Sequence, residues 1–211
     1  MTEPNQTEPI RLYFWPTPNG QKASIMLEEC ALPYEVTRID ITKGEQLDPK
    51  FLAISPNNKI PAIVDPDGPD GQSVAIFESG AILQYLGRKT GRFYPQAERA
   101  RIEVEEWLFW QVGGIGPIGA QAHHFRKFAK EKVPYAIERF TSEMHRLYSV
   151  MDRRLRDRDY LAGDYSIADM ACYGWTRRWD WQGQNIDEFA NVKTWLERIG
   201  ARPAVQRGLQ K

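Results

Sequence analysis

The stretch Ile10–Pro33, IRLYFWPTPNGQKASIMLEECALP, holds a short apolar run followed by a longer segment with helical periodicity. The run Ile10–Trp15 predicts a buried strand, which ends at the prolines that follow it. Within Gly20–Ala31, apolar residues recur at steps of three and four, the spacing of one face of an α-helix. The stretch therefore predicts a strand and a helix joined by a proline-rich turn.

The residues that follow extend this pattern to a small domain. Further strands are predicted at Tyr34–Asp40, Pro61–Asp65 and Val74–Phe77, the last two joined by the turn sequence PDGPDG. A helix over Gly80–Lys89 closes the unit. A parallel strand pair with a crossover helix, followed by an antiparallel hairpin and a capping helix, is typical of the thioredoxin-like fold. We therefore expect an α/β thioredoxin-like domain at residues 10–91.

The remainder of the chain predicts helices alone. Tyr135–Arg156 carries apolar residues along one helical face, and no strand candidate follows Arg99. The sequence SIAD at Ser166–Asp169 predicts a capping box, which marks a helix start. We expect an all-α domain at residues 99–211. Residues 1–9, which are polar and acidic, are interpreted as a disordered leader.

Composition argues against several classes of protein. The 28 Lys and Arg residues balance 28 Asp and Glu residues, so the chain lacks the basic excess that binding to nucleic acid requires. No apolar run approaches the roughly 18 residues of a membrane span, and the leader lacks the apolar core of a signal peptide. We therefore expect a cytoplasmic protein without a membrane or nucleic-acid partner.

No metal is expected either. Cys30 and Cys172 are too far apart in the sequence for a metal-binding motif. His123 and His124 are adjacent, so on a helix their side chains diverge and cannot bind one ion together. Both cysteines are interpreted as unreactive core thiols.

The turn Thr17-Pro18-Asn19-Gly20 is the sharpest candidate for chemistry. The N-terminus of a helix presents unpaired N–H groups and a positive dipole end, which lower the pKa of a nearby thiol. Thr17 and Asn19 are thus candidates to hold a sulfur anion. The alternative is that Thr17 is only a helix N-cap, with Pro18 as the first helical residue. The turn contains no cysteine, so a redox reaction here would use the thiol of a bound molecule.

Two other turns also permit both a binding and a purely structural interpretation. A cis peptide bond between Ile60 and Pro61 would expose the backbone of Ile60 to a ligand, whereas an ordinary trans-proline would only open the strand. Ser79 at a helix N-terminus would bind a carboxylate, and Glu78 would pair with an ammonium. The alternative for Ser79 is a plain helix cap.

The chain resembles the cytosolic glutathione transferases over Ile10–Lys211. The Pro61 turn, the Glu78-Ser79 pair and the Ser166–Asp169 capping box fall in the order and spacing of that family. The resemblance is strongest to the bacterial Nu class of that family. Five blocks carry it: Thr17–Gly20, Ser55–Asp65, Phe77–Leu83, Trp107–Gly114 and Pro134–Arg139. The resemblance implies a glutathione transferase fold, a homodimer, and two glutathione molecules or their disulfide held in one subunit.

The resemblance also implies roles for individual residues. Thr17 and Asn19 would face the glutathione sulfur as the catalytic pair. Gln46, with Lys59 nearby, would contact the glycyl end of the tripeptide or a second glutathione molecule.

The remaining contacts are implied in the same way. Ile60 would pair through its main chain with the cysteinyl backbone, and Glu78 and Ser79 would hold the γ-glutamyl group. Arg139, from the helical domain, would reach a carboxylate, in one arrangement across the dimer interface.

The activity that the resemblance implies is glutathione-dependent reduction of small disulfides, with weak conjugating activity. The glutathione thiolate would attack the disulfide, and a second glutathione would complete the exchange. Two alternatives stay open. One is a transferase that conjugates glutathione to electrophilic small molecules, and the other is a non-catalytic protein that binds glutathione or a protein partner.

Overall fold

The computed structural model describes residues 8–211, which form two compact units. The first comprises the residues up to Leu86 together with Ala204–Lys211, and the second is Gly87–Pro203. The predicted domains, residues 10–91 and 99–211, differ from these two units at their common boundary and at the end of the chain. The boundary lies inside a helix, and the last residues of the chain belong to the first unit. Residues 1–7 of the predicted leader lie outside the described residues.

The first unit is a four-stranded mixed sheet with helices. Its elements are β1 (Ile10–Phe14), α1 (Pro18–Cys30), β2 (Tyr34–Arg38), α2 (Pro49–Leu52), β3 (Ala62–Asp65), β4 (Val74–Phe77), α3 (Ser79–Thr90) and α9 (Pro203–Leu209). The strand order is β2-β1-β3-β4. β1 pairs in parallel with β2, and β3 runs antiparallel to both β1 and β4. The predicted thioredoxin-like fold is confirmed.

The register of the sheet brings three chain segments to one edge. Ala62 pairs with Tyr13 on one side and with Phe77 on the other. These residues therefore form a row at the end of β1, the start of β3 and the end of β4. Because β3 is antiparallel to its neighbours, the turns after β1, before β3 and after β4 leave the sheet at the same edge.

The second unit consists of helices among its described residues, as the sequence predicts. Its helices are α4 (Glu98–Trp110), α5 (Gly116–His123), α6 (Pro134–Arg154), α7 (Ile167–Thr176) and α8 (Ala190–Gly200). Met144, Leu147, Tyr148 and Met151 form the buried face of α6, at the predicted helical spacing. Within residues 8–211, we find no helix with the length and apolar character needed to cross a bilayer.

The predicted capping box starts α7. The Ser166 hydroxyl accepts a hydrogen bond from the Ala168 amide at 3.3 Å, and the Asp169 carboxylate accepts one from the Ser166 amide at 3.1 Å. The other oxygen of Asp169 accepts from the Leu161 amide at 3.0 Å and from the Trp195 indole at 2.9 Å. One fully buried carboxylate thus joins the start of α7, the preceding turn and α8.

Residues Ala204–Lys211, here called the 204–211 segment, pack on α1. The Ser24 hydroxyl donates to the Gly208 carbonyl at 2.7 Å. A side chain at Gly208 would place its Cβ 2.8 Å from the Ile25 backbone, so the close approach requires glycine. This contact explains why the last helix belongs to the first unit.

A cluster of charges holds the same segment. Arg207 Nε and Lys211 Nζ lie 2.7 and 2.9 Å from the Glu28 carboxylate, which also accepts a hydrogen bond from the Tyr34 hydroxyl at 2.8 Å. Burial raises the pKa of Glu28, but the hydrogen bonds from Arg207, Lys211 and Tyr34 outweigh it and bring the pKa down to about 2.

We expect Glu28→Gln to lower the free energy of unfolding by about 2 kcal/mol at pH 7, because hydrogen bonds to a charged group are lost. A folded-state pKa below the ordinary value gives stability that is present above about pH 4.5 and lost as the pH falls towards 2. The difference in the free energy of unfolding between wild type and variant should therefore disappear as the pH falls over that range. Urea unfolding at several pH values measures it.

Glu143→Gln provides the matched control. Glu143 pairs with Arg146 on the surface of α6, and such a pair contributes about 0.5 kcal/mol or less. An equal loss at pH 7 and at pH 3 for Glu28→Gln would contradict the expectation.

Candidate functional site

A cavity of about 240 Å³ in the first unit lies at the sheet edge where the three turns meet. The residues that line it are Asn19, Ser55, Lys59, Ile60, Pro61, Phe77, Glu78 and Ser79. Every site residue predicted from the sequence, except Thr17, Gln46 and Arg139, is among these described lining residues. The register of β1, β3 and β4 explains this grouping, because each predicted turn starts or ends in the same row of the sheet.

The turn after β1 presents the N-terminus of α1. The Thr17 hydroxyl accepts a hydrogen bond from the Gly20 amide at 3.1 Å, and Pro18 is the first helical residue, so the N-cap interpretation is confirmed. An accepting hydroxyl keeps its own proton as a donor. A contact between Thr17 and a sulfur anion thus stays a prediction. A Cβ at Gly20 would lie 2.2 Å from the Trp15 carbonyl oxygen, so the turn requires glycine at this position.

The turn before β3 carries the predicted cis peptide bond, between Ile60 and Pro61. The Ser55 hydroxyl donates to the Lys59 carbonyl at 2.8 Å, and the Asn58 amide donates to the Ser55 carbonyl at 2.9 Å. Ser55 is fully buried and fixes this turn. The Ile60 side chain packs in an apolar cluster with Ile39, Phe51 and Ala62.

The junction of β4 and α3 places two polar residues side by side. Glu78 has a φ of +69°, in the left-handed region that non-glycine residues rarely adopt, and its side chain is exposed. Such strain concentrates at binding sites. Ser79, at the start of α3, is buried, and its hydroxyl lies 3.2 Å from Lys22 Nζ. The junction thus offers a carboxylate next to a hydroxyl and a helix N-terminus.

The sequence interpretation missed Lys22 and Ser55. Lys22 lies on one face of α1 with the buried residues Met26 and Cys30, at intervals of four residues. A lysine on the apolar face of a helix is an unusual signal. That signal could have identified Lys22 before the structure. Ser55 carries no comparable pattern, since a serine before a proline is common in turns.

The two other predicted contacts lie in different surroundings. Gln46 belongs to the 3₁₀ turn Glu45–Leu47, and its buried Oε1 has no hydrogen-bond partner among the residues the structure describes. Arg139 is exposed on α6, where it lines a second cavity, of about 430 Å³, together with Tyr135 and Arg146. Their contacts with a ligand stay predictions.

The ionisable groups elsewhere do not form a metal centre in the described part of the chain. No group of three or more His, Cys, Asp or Glu side chains is placed to hold an ion within residues 8–211. Burial and the nearby Arg178 lower the pKa of His123 to about 4, so this ring is neutral at physiological pH. The thiols of Cys30 and Cys172 are both buried.

The arrangement suits a thiol-bearing substrate with an amino-acid end. Asn19 and the amide groups at the start of α1 can stabilise an anion on one side of the cavity. Glu78 and Ser79 can take an ammonium and a carboxylate on the other side. Because Cys30 and Cys172 are buried in α1 and α7, a thiol at this site would come from the bound molecule.

Two family models match the chain. Residues 17–89 match the glutathione S-transferase N-terminal domain, and residues 118–203 match the glutathione S-transferase C-terminal domain. The first match includes every residue that lines the 240 Å³ cavity.

Curated and solved proteins are similar over nearly the whole chain. The disulfide-bond oxidoreductase YfcG of Escherichia coli K12 is 50% identical over 204 residues, covering 96% of this chain and 95% of YfcG. A glutathione transferase from Pseudomonas putida, solved with one glutathione disulfide per subunit, is 43% identical with a TM-score of 0.92, covering 99% of this chain and 94% of that one. A family member from Pseudomonas fluorescens Pf-5, solved with two glutathione molecules bound, is 46% identical with a TM-score of 0.92, covering 98% and 95%.

Proposed function

The chain belongs to the glutathione S-transferase family, and on that basis we propose that it reduces disulfide bonds with glutathione as the substrate that supplies the thiol. The observation that carries this proposal is a cavity at the N-terminus of α1 that is also lined by Glu78 and Ser79, while Cys30 and Cys172 are both buried. The name of YfcG and the glutathione disulfide bound to the Pseudomonas putida protein support the same chemistry.

Each end of glutathione has a place in this proposal. Ser79 and the start of α3 would accept the γ-glutamyl carboxylate, and Glu78 would pair with the γ-glutamyl ammonium. The backbone of Ile60 would pair with the cysteinyl residue, which directs the sulfur towards Asn19 and Thr17. Lys59 would contact the glycyl end or a second glutathione.

Gln46 and Arg139 are proposed to contact the glycyl end or a second glutathione. The buried, unpartnered Oε1 of Gln46 leaves one acceptor free for a ligand amide. The solved relative with two bound glutathione molecules supports room for a second one.

The residues at the start of α1 would act on the sulfur. Amide groups of the helix N-terminus, with Asn19 and the Thr17 hydroxyl, would stabilise the thiolate and lower its pKa. Attack on a disulfide R–S–S–R′ forms one new S–S bond and releases R′–S⁻, which takes the proton that glutathione lost. A second glutathione thiolate attacks the mixed disulfide, yielding glutathione disulfide and R–SH.

The decisive experiment compares two activities at equal enzyme concentration. One assay follows glutathione-dependent reduction of 2-hydroxyethyl disulfide, and the other follows conjugation of glutathione to an aryl halide. We expect the turnover number for disulfide reduction to exceed that for conjugation by at least about tenfold. This ratio corresponds to a difference of roughly 1.4 kcal/mol in activation free energy. The reverse ratio would make the protein a conjugating transferase. Glutathione binding without either activity would make it a binding protein.

We propose that the protein is a homodimer of the Nu class and resides in the cytoplasm. Large apolar side chains are exposed on the second unit, among them Phe109 at 62% and Tyr135 at 75%. Solvent exposure of such groups favours burial against a second copy. Sedimentation of the wild type and of Phe109→Asp tests the dimer, and fractionation of cells tests the compartment.

The buried cysteines lead to a prediction for turnover. We expect the double variant Cys30→Ala, Cys172→Ala to keep its disulfide reductase activity within about threefold, since neither thiol would take part in the exchange. The two small cavities should lower the free energy of unfolding by about 1–2 kcal/mol. Steady-state kinetics and urea unfolding measure the two effects. A hundredfold loss of turnover in a folded protein would identify a reactive protein thiol.

A further inference from the structure

Lys22 is a buried charged residue close to the cavity, with 2% of its surface exposed. Lysine is almost never buried to this extent unless its ammonium has a specific partner, because removing the charge from water is costly. Its Nζ lies 3.2 Å from the Ser79 hydroxyl oxygen, although the two residues are 57 positions apart in the chain. The lysine therefore sits directly behind a residue that lines the cavity.

The chemistry of the two groups fixes the direction of this hydrogen bond. A lysine ammonium has three donors and no acceptor. Ser79 Oγ must therefore accept the bond, and its own O–H proton must point to a different acceptor. Because hydrogen bonds in a chain polarise one another, a charged donor behind the hydroxyl strengthens it as a donor.

This arrangement discriminates among ligand groups. A carboxylate at Ser79 would accept from the hydroxyl and would be attracted by the ammonium behind it. An uncharged carboxamide would gain little from that charge. An ammonium would be repelled by it, and it would find its partner at the neighbouring Glu78 carboxylate instead.

We propose that Lys22 is a positioning residue that makes Ser79 an obligatory hydrogen-bond donor and so makes the cavity selective for the free α-carboxylate of the γ-glutamyl group. This inference rests on the proposed binding of glutathione. It assigns the selectivity to a lysine that would act through Ser79, without touching the ligand itself.

Titration calorimetry of the full chain with two ligands tests the role. One ligand is glutathione, and the other is its analogue with the γ-glutamyl α-carboxylate converted to a carboxamide. We expect the wild type to bind glutathione about 30- to 100-fold more tightly than the amide, as hydrogen bonds to a charged group allow. In Lys22→Met this ratio should fall to about threefold or less, with most of the loss on glutathione.

Two further variants separate this effect from general damage. Lys59→Met removes the exposed lysine that lines the cavity, and it should weaken the binding of both ligands while leaving their affinity ratio within about threefold of wild type. Lys22→Arg retains a charged donor and should restore most of the ratio. A purely structural role of Lys22 would change both affinities together and leave the ratio intact.

Each result supports or overturns the inference. A ratio in folded Lys22→Met equal to that of the wild type overturns it while leaving the proposed function in place. If Lys22→Met does not fold, Ser79→Ala is measured in its place. Loss of the hydroxyl should abolish the preference for glutathione over the amide analogue, and a preference equal to that of the wild type overturns the inference. No binding of glutathione by the wild type overturns both the inference and the proposed function.

Discussion

Asp169→Asn is expected to lower the free energy of unfolding by about 4 kcal/mol, because it breaks a buried network of charge-assisted hydrogen bonds. The wild-type carboxylate accepts from the amides of Leu161 and Ser166 and from the indole of Trp195. An asparagine side chain has one oxygen and one NH₂ group, so at least one of these donors would face another donor.

The measurement is urea unfolding followed by circular dichroism above neutral pH. Burial raises the pKa of Asp169 to about 6 against the opposing effect of its hydrogen bonds, so the group is ionised under these conditions. Asp164→Asn, at an exposed position of the preceding turn, is the matched control and should change the stability by about 0.5 kcal/mol or less. A loss below about 1 kcal/mol for Asp169→Asn would show that the amide satisfies the network.

The second large effect is expected at the start of α1. The double variant Thr17→Val, Asn19→Leu should raise the pKa of bound glutathione by about 1–2 units and reduce disulfide turnover about 100-fold, since two donors to the thiolate are removed. The ultraviolet absorbance of the bound thiolate, followed against pH, gives the pKa. Steady-state kinetics gives the turnover.

Thr17 also caps α1, so its loss carries a structural cost of about 1 kcal/mol. Thr17→Ser keeps both the cap and the hydroxyl, and it should leave the pKa of the bound thiol and the turnover unchanged within about threefold. Asn19→Leu alone leaves the cap intact and isolates the amide. An unaltered thiol pKa in the double variant would remove both residues from the reaction.

Much of the fold was predictable because strands and helices carry local patterns. Val74–Phe77 was predicted to the residue, since the turn sequence before it marks where the strand returns. α1 begins at Pro18, two residues before the predicted Gly20. Thr17 is the N-cap, and proline is favoured at the first helical position that follows it. The position of α9 in the first unit was not predictable, because helical periodicity does not tell which surface a helix will cover.

Some residues of the candidate site could likewise be predicted from local sequence, and others could not. Asn19, Ile60 and Glu78 each adjoin a strand end, and strand ends can be read from local sequence. Lys22 is linked to the site by its contact with Ser79, a residue 57 positions away in the chain. A contact of that range depends on how α1 and α3 are placed on the sheet. The apolar face of α1 marks Lys22 as unusual, but it does not indicate that Ser79 is the partner.

The docking of the 204–211 segment on α1 has a consequence for biosynthesis. Ribosomes add about 5–20 residues per second, so the whole of Gly87–Pro203 delays the arrival of this segment by roughly 10 s. During that interval the nascent first unit exposes the surface of α1 around Ser24 and Ile25 that Gly208 later covers. The unit that is translated first is therefore completed last.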